Sequence, residues 1–261
     1  MEIGIIGLPG VGKTTLFNIV TRNCVKTGSF SASAGPNLGV ATVPDARLAW
    51  LSDFFKPKKT TYATINFVDV AGLMEGAAKK DGFSAQVLGH LRAVDALVHV
   101  VRAFPDPAVP HPAETIDPAR DIRTVDAELL LGDMAVAEAR VARLREDIAK
   151  HRNRAQAEKE LAVLERILAR LEAEQPIRGL EFTEDAQRMI KGYTFLTAKP
   201  MIYALNLGEG QAFTPEMLAG LPLEERDGVT LVNGHPLIAF QGKLEEEIAQ
   251  LPAEDVSEFL E

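Results

Sequence analysis

Near the amino terminus, Gly7-Leu8-Pro9-Gly10-Val11-Gly12-Lys13-Thr14 follows the spacing G-x-x-x-x-G-K-[ST] in full. Each fixed position has a chemical reason. Glycines let a loop wrap so that successive backbone N–H groups point inward at phosphate oxygens. Lys13 brings a positive charge to the β- and γ-phosphates and is a candidate catalytic residue; the Thr14 hydroxyl can ligate Mg²⁺. A helix starting at the lysine aims the positive end of its dipole at the same anion. The implied chemistry is capture and hydrolysis of a nucleoside triphosphate.

A second signal follows downstream. Ile65-Asn66-Phe67-Val68-Asp69 reads as a strand ending in an aspartate, then Val70-Ala71-Gly72. An aspartate placed there can hold Mg²⁺ through water, and Gly72 lets its N–H approach the γ-phosphate, making it a second candidate catalytic position. Gly76, Lys79, Lys80, Asp81 and Gly82 continue as a polar, glycine-bearing stretch suited to a nucleotide switch. Leu73 stands where many GTPases carry a water-orienting glutamine. Leucine has no hydrogen-bonding group, so slow intrinsic hydrolysis is expected.

Base choice is read from Asn206-Leu207-Gly208-Glu209. Guanine-specific switches carry N-K-x-D at the end of a strand, where the aspartate accepts the guanine N1–H and 2-amino protons. Here Leu207 replaces the lysine that stacks on the base, and Glu209 is one methylene longer than the aspartate. Weak guanine selectivity is expected, with adenine acceptable.

Short apolar runs must position these groups. Glu2–Ile6, Thr61–Val68, Ala96–Arg102, Pro200–Leu205 and Leu237–Phe240 read as strands, and Thr15–Thr21 as an amphipathic helix. Strands alternating with helical stretches predict an α/β fold: a mostly parallel sheet with helices on both faces. The middle of the chain differs. Leu130, Met134, Ala137, Val141, Leu144 and Ile148 are spaced 4, 3, 4, 3, 4, and Ala157, Leu161, Leu164, Leu168 and Leu171 are spaced 4, 3, 4, 3. Two heptad seams predict an inserted antiparallel coiled-coil hairpin ending near Gln175-Pro176. The expected organisation is one α/β nucleotide-binding domain over 1–125 and 199–261, with the helical insertion at 126–198. At the hairpin tip, Lys150, Arg152 and Arg154 could meet RNA phosphates. Phe54 and Phe55 are expected in the core, as are His90 and His99 in core or edge positions.

Composition narrows the function further. Net charge is −9, so the chain cannot coat itself on nucleic acid and any such contact must be a local patch. A single cysteine, Cys24, excludes an internal disulfide framework and Cys-rich zinc sites. No apolar run approaches the roughly 20 residues of a membrane span, so a soluble cytoplasmic protein is expected.

These residues resemble the YchF or Obg-like ATPases, a family of translation-factor-related P-loop NTPases. The likeness is carried by Gly7-Leu8-Pro9, by Pro36-Asn37-Leu38-Gly39-Val40 and by Val43-Pro44-Asp45-Ala46-Arg47-Leu48. It is also carried by His90–Arg102 and by Leu196-Thr197-Ala198-Lys199-Pro200 ahead of Asn206-Leu207-Gly208-Glu209. The resemblance implies a G-domain fold, ATP preferred over or alongside GTP, slow hydrolysis, and a link to ribosomes, translation or stress control. By match it assigns nucleotide binding to Pro9, Gly10, Val11, Gly12, Lys13, Thr14 and Thr15, and to Asn206, Leu207, Glu209, Gln241 and Gly242. Leu207 would meet adenine through its backbone. Magnesium ligands would be Thr14, Asp69 and Ser33, the last aligned with the family's first-switch threonine. Gly10 replaces the family's asparagine associated with potassium, so no potassium-binding side chain is expected there. The family's carboxyl-terminal TGS domain is not expected within this chain. Other readings are a GTP-preferring switch, and an RNA- or ribosome-binding module with incidental hydrolysis. A P-loop kinase would need an arginine-bearing lid, where this chain has a heptad hairpin.

Overall fold

The computed structural model describes residues 1–22, 36–70 and 83–251 of the 261. Its centre is a single mixed sheet in the order β2-β3-β1-β4-β5-β8-β7-β6. The strands are β1 (Glu2–Ile6), β2 (Asn37–Thr42), β3 (Thr64–Asp69), β4 (Ala96–Arg102), β5 (Met201–Asn206), β6 (Leu223–Arg226), β7 (Val229–Val232) and β8 (His235–Phe240). From β3 to β8 neighbouring strands run parallel, as the buried apolar runs predict. Every residue of β4 is buried, the pattern of a strand covered on both faces.

The two ends of the sheet are antiparallel. β2 pairs with β3 at one edge, while β7 and β6 extend the other. Both turns of the second extension carry a signal that the apolar-run reading passes over. Asp227-Gly228 and Asn233-Gly234 have positive φ at both positions (52° and 76°, 50° and 75°), the requirement of a two-residue type I′ hairpin.

Helices cover both faces. On one side α1 (Lys13–Thr21) buries Leu16 and Phe17 against Ile3, Ile5, Val98 and Val100. Glu246 of the last helix accepts a hydrogen bond from Asn18 of α1 at 3.1 Å. On the opposite side lies α3 (Ala85–Ala93), capped by Ser84, with the first turns of α4 (Pro118–Ala149), capped by Asp117. They contribute Val87, Leu91, Ile122, Val125 and Leu129 to the larger core.

Beyond these turns α4 leaves the sheet and packs against α5 (Arg154–Glu172). Ala137, Val141 and Leu144 meet Ala157, Leu164 and Leu171, with Ile167 also fully buried. Arg140 and Glu160 close the flank through two 2.9 Å bonds. α5 ends at Glu172, and Pro176 instead opens a 3₁₀ turn at Ile177–Gly179. A short helix, α6 (Glu184–Ile190), precedes β5, and α7 (Gly242–Gln250) follows β8.

A buried carboxylate ties the hairpin to the segment that leads into β5. Asp133 of α4 is buried and accepts from the Leu196 N–H (2.9 Å), the Thr197 N–H (2.8 Å) and the Thr197 hydroxyl (2.9 Å). Arg92 of α3 pairs with it at 3.2 Å. The segment Leu196–Pro200 is therefore an anchor that sets the start of β5.

Phe54 and Phe55 depart from expectation. They lie on α2 (Ala46–Phe55) and are exposed, because no element among the described residues packs over that helix. Among the described residues no helix is long and apolar enough to cross a membrane.

Truncating Asp133 takes the acceptor from two buried N–H groups and the Thr197 hydroxyl, while Arg92 keeps the Gly132 carbonyl at 2.9 Å. Asp133→Ala is expected to lower the unfolding free energy by about 3–5 kcal/mol, and Asp133→Asn by less, in urea titrations followed by circular dichroism.

Candidate nucleotide site

The carboxyl ends of β1, β3, β4 and β5 converge on one cleft, the place where parallel α/β sheets offer ligand sites. Gly7 to Gly12 link β1 to α1, and the loop is built around its glycines. Gly12 caps α1 in the left-handed conformation at φ 96° and, being glycine, brings no side-chain cap to the first turn. A Cβ at Gly12 would collide with the Asn206 amide, and one at Gly7 with the Val100 carbonyl. Only glycine permits this close approach, which leaves the helix amides open to an anion.

Lys13 is buried, and its Nζ donates to the carbonyls of Gly7 (3.1 Å) and Leu8 (2.7 Å). Beside it the Thr14 hydroxyl donates to Asp69 Oδ2 at 2.9 Å. Asp69 closes β3 and is fully buried, with Asn37 Nδ2 3.4 Å from the same oxygen. Two hard oxygen donors thus lie side by side under the loop, a set that suits Mg²⁺ completed by phosphate and water rather than a soft metal.

The cleft has a volume of about 660 Å³ and runs from Pro9, Lys13, Thr14 and Thr15 to Leu207 and Glu209. Asn206 sits between the two ends and bonds through both side-chain atoms, with its second amide hydrogen still available. Its Nδ2 donates to the Val11 carbonyl (3.0 Å) and its Oδ1 accepts from the Gly242 N–H (3.0 Å). It acts as a brace that joins the phosphate loop, β5 and α7. The Leu207 N–H is committed to the Phe240 carbonyl at 2.8 Å, and its side chain is buried. Gln241 closes the loop after Leu207 by accepting from the Gly210 N–H at 3.1 Å. Ser33, Gly72 and Leu73 lie outside the described residues.

A family model described as a 50S ribosome-binding GTPase matches residues 2–206. The ribosome-binding ATPase YchF of Bacillus subtilis (strain 168) is 37% identical over 265 residues, spanning all of this chain and 70% of the relative. Obg-like ATPase 1 of Oryza sativa subsp. indica is 33% identical, across 99% of this chain and 65% of its own length. The solved structure of the Schizosaccharomyces pombe YchF GTPase matches with a TM-score of 0.79 at 30% identity, over 99% of this chain and 70% of that one. The chain belongs to the YchF family.

In this YchF-family site, the wall opposite Leu207 was not foreseen from the sequence. Phe104, Pro105, Asp106 and Val109 line the cleft. Arg102 shapes them. It is buried and donates to the carbonyls of Phe104 (3.0 Å), Asp106 (3.2 Å), Val109 (2.9 Å) and Gly10 (3.4 Å). A charge-bearing residue at the end of an apolar strand run is the only trace it leaves in the sequence.

His99, also on β4, is buried beneath the loop with Nδ1 unpartnered. Burial, helped by the Lys13 charge, lowers its pKa to about 3. The folded protein holds it neutral, whereas the unfolded chain protonates it near 6.5. Below that value the unfolded state binds the extra proton, so stability falls as pH falls. The stability advantage of the wild type over His99→Gln is expected to shrink by about 2 kcal/mol between pH 7 and pH 5 in urea titrations.

Proposed function

We propose that this YchF-family nucleotide hydrolase is a magnesium-dependent switch that accepts ATP, with GTP as an alternative, turns over slowly alone and works in association with ribosomes. The observation that carries the hydrolase reading is the Thr14–Asp69 contact of 2.9 Å beside Lys13, at one end of a cleft continuous with Leu207. Thr14 and Asp69 would hold Mg²⁺, which when bound neutralises charge on the phosphates. Lys13 exchanges its two loop carbonyls for phosphate oxygens, and the open first turn of α1 supplies N–H donors. Gly72 and Ser33 complete the phosphate and metal shell in this proposal.

Adenine acceptance rests on the base end. Asn206 is held by Val11 and Gly242, so its amide braces the loop. With the Leu207 N–H spent on Phe240, its carbonyl is the backbone atom left to accept from an exocyclic amine, which adenine offers. Glu209 is exposed, with no lysine between it and Asn206 to stack on the base. Slow turnover follows from Leu73 in the water-orienting position.

Ribosome association draws support from the family description and the printed names of the relatives. The hairpin tip is one proposed contact. Lys150, Arg152 and Arg154 are exposed, although Lys150 pairs with Glu146 (3.1 Å) and Arg154 with Glu158 (2.8 Å). Arg152→Glu is expected to reduce co-sedimentation with ribosomes; undiminished pelleting removes the tip from the contact.

Calorimetric titration tests base choice. ATP with Mg²⁺ is expected to bind at least as tightly as GTP, and Lys13→Ala to abolish both. Binding of GTP alone would falsify the adenine reading, and wild-type ATP affinity in Lys13→Ala would refute the phosphate site.

A further inference from the structure

α2 carries a surface that the nucleotide site does not use. None of its ten residues is buried. Trp50, Phe54 and Phe55 are 64%, 66% and 69% exposed. Trp50 and Phe54, one turn apart, stack with centroids 5.4 Å apart and planes 12° from parallel. Phe55 meets Phe54 edge-on at 4.9 Å. A helix this short is marginal in water without packing, and large contiguous exposed rings mark a contact surface.

Charge points to the kind of contact. From Ala46 to Thr60 the chain carries Arg47, Lys56, Lys58 and Lys59 against a single acid, Asp53, on a molecule of net charge −9. All four cations are exposed. Arg47 pairs with Asp45 and Lys56 with Asp53 (3.7 Å), but these are surface pairs that a polyanion can displace at little cost. Lys58 and Lys59 form no ion pair among the described residues. An acidic protein that concentrates cations beside stacked rings matches the two needs of an unpaired strand: π faces for bases and ammonium groups for phosphates. A lipid surface would favour rings spread along one helix face for insertion. Here two rings lie face to face and extend naturally into a stack of bases.

We propose that the carboxyl end of α2 and the following Lys56–Lys59 segment bind single-stranded RNA, with bases stacking on Trp50 and Phe54 and phosphates held by Lys58 and Lys59. The physiological source of that strand, a ribosomal one, rests on the ribosome-association reading above; the binding chemistry does not.

Trp50 is the chain's only tryptophan, so its fluorescence reports on the surface directly. The full chain, with ADP and Mg²⁺ in excess, is titrated with oligocytidylate of about 12 nucleotides, a length within the range of strand-binding surfaces and a base foreign to a purine cleft. The expected result is saturable quenching that weakens with added salt. Lys58→Gln with Lys59→Gln should weaken binding about tenfold at low salt and flatten the salt dependence by one to two phosphate contacts. Phe54→Leu should weaken binding about tenfold with the salt dependence unchanged. Arg152→Glu at the hairpin tip should leave the quenching as it is, and ADP affinity should be equal in all variants.

Absence of quenching at low salt overturns the proposal. So does equal affinity for a duplex RNA of the same length, or quenching by phosphatidylserine vesicles without quenching by the oligonucleotide. Ribosome pelleting separates the two readings. If the wild type does not pellet with ribosomes yet oligocytidylate quenches Trp50, the ribosome reading falls and the RNA surface stands.

Discussion

A loop that captures a triphosphate has to keep its amides turned inward and unpaired, and something outside the loop has to hold it in that shape. In this protein the Asn206 carboxamide does so, with one end on the Val11 carbonyl and the other on the Gly242 N–H. Three separate pieces of chain meet there: the β1–α1 loop, the end of β5 and the start of α7. The left-handed Gly12 exists to let that amide approach. Each of these bonds uses one hydrogen or one lone pair of the amide, so the group that braces the loop keeps a second N–H on the cleft residue itself.

The wall opposite Leu207 depends on a second buried polar group. Among the described residues Arg102 bonds no carboxylate; its donors go to backbone carbonyls on Phe104, Asp106, Val109 and Gly10. A buried guanidinium is tolerated when its donors are met, and meeting them with main-chain oxygens fixes the loop against the phosphate end. Asp133 plays the matching role for the hairpin, turning the Leu196–Ala198 turn into an anchor for β5. One buried group thus fixes the wall of the cleft and the other the start of the strand that leads to it. Such arrangements are stiff, which suits a site where a displacement of an ångström changes chemistry.

Contrast comes from α2. It links β2 to β3 with none of its residues buried, and its aromatic rings are exposed. Where the nucleotide site gains its order from buried hydrogen bonds, this surface has exposed rings that contact one another, and Lys58 and Lys59 form no ion pair among the described residues. The hairpin lies between these extremes, held by its own seam and by one carboxylate.

How much of this the sequence disclosed depends on distance along the chain. The phosphate loop, the aspartate closing β3, the parallel strands and both heptad seams are patterns within a few to a few dozen residues, and local sterics and amphipathic period determine them. The Asp-Gly and Asn-Gly turns of the β6–β8 extension were equally legible and lay unread beside weak, half-exposed strands. Other features were open only to the folded chain. The bracing bond of Asn206 is one of these: its partner Val11 is 195 residues away, and only the neighbouring positions of β1 and β5 around β4 bring the two together. Phe54 and Phe55 look like core residues because hydrophobicity is local, whereas exposure is decided by what else packs nearby. Residue types and spacing therefore determined which chemistry the chain carries. The tertiary structure decided which groups are spent holding one another and which remain for a ligand, because burial and long-range pairing are properties of the assembled layers.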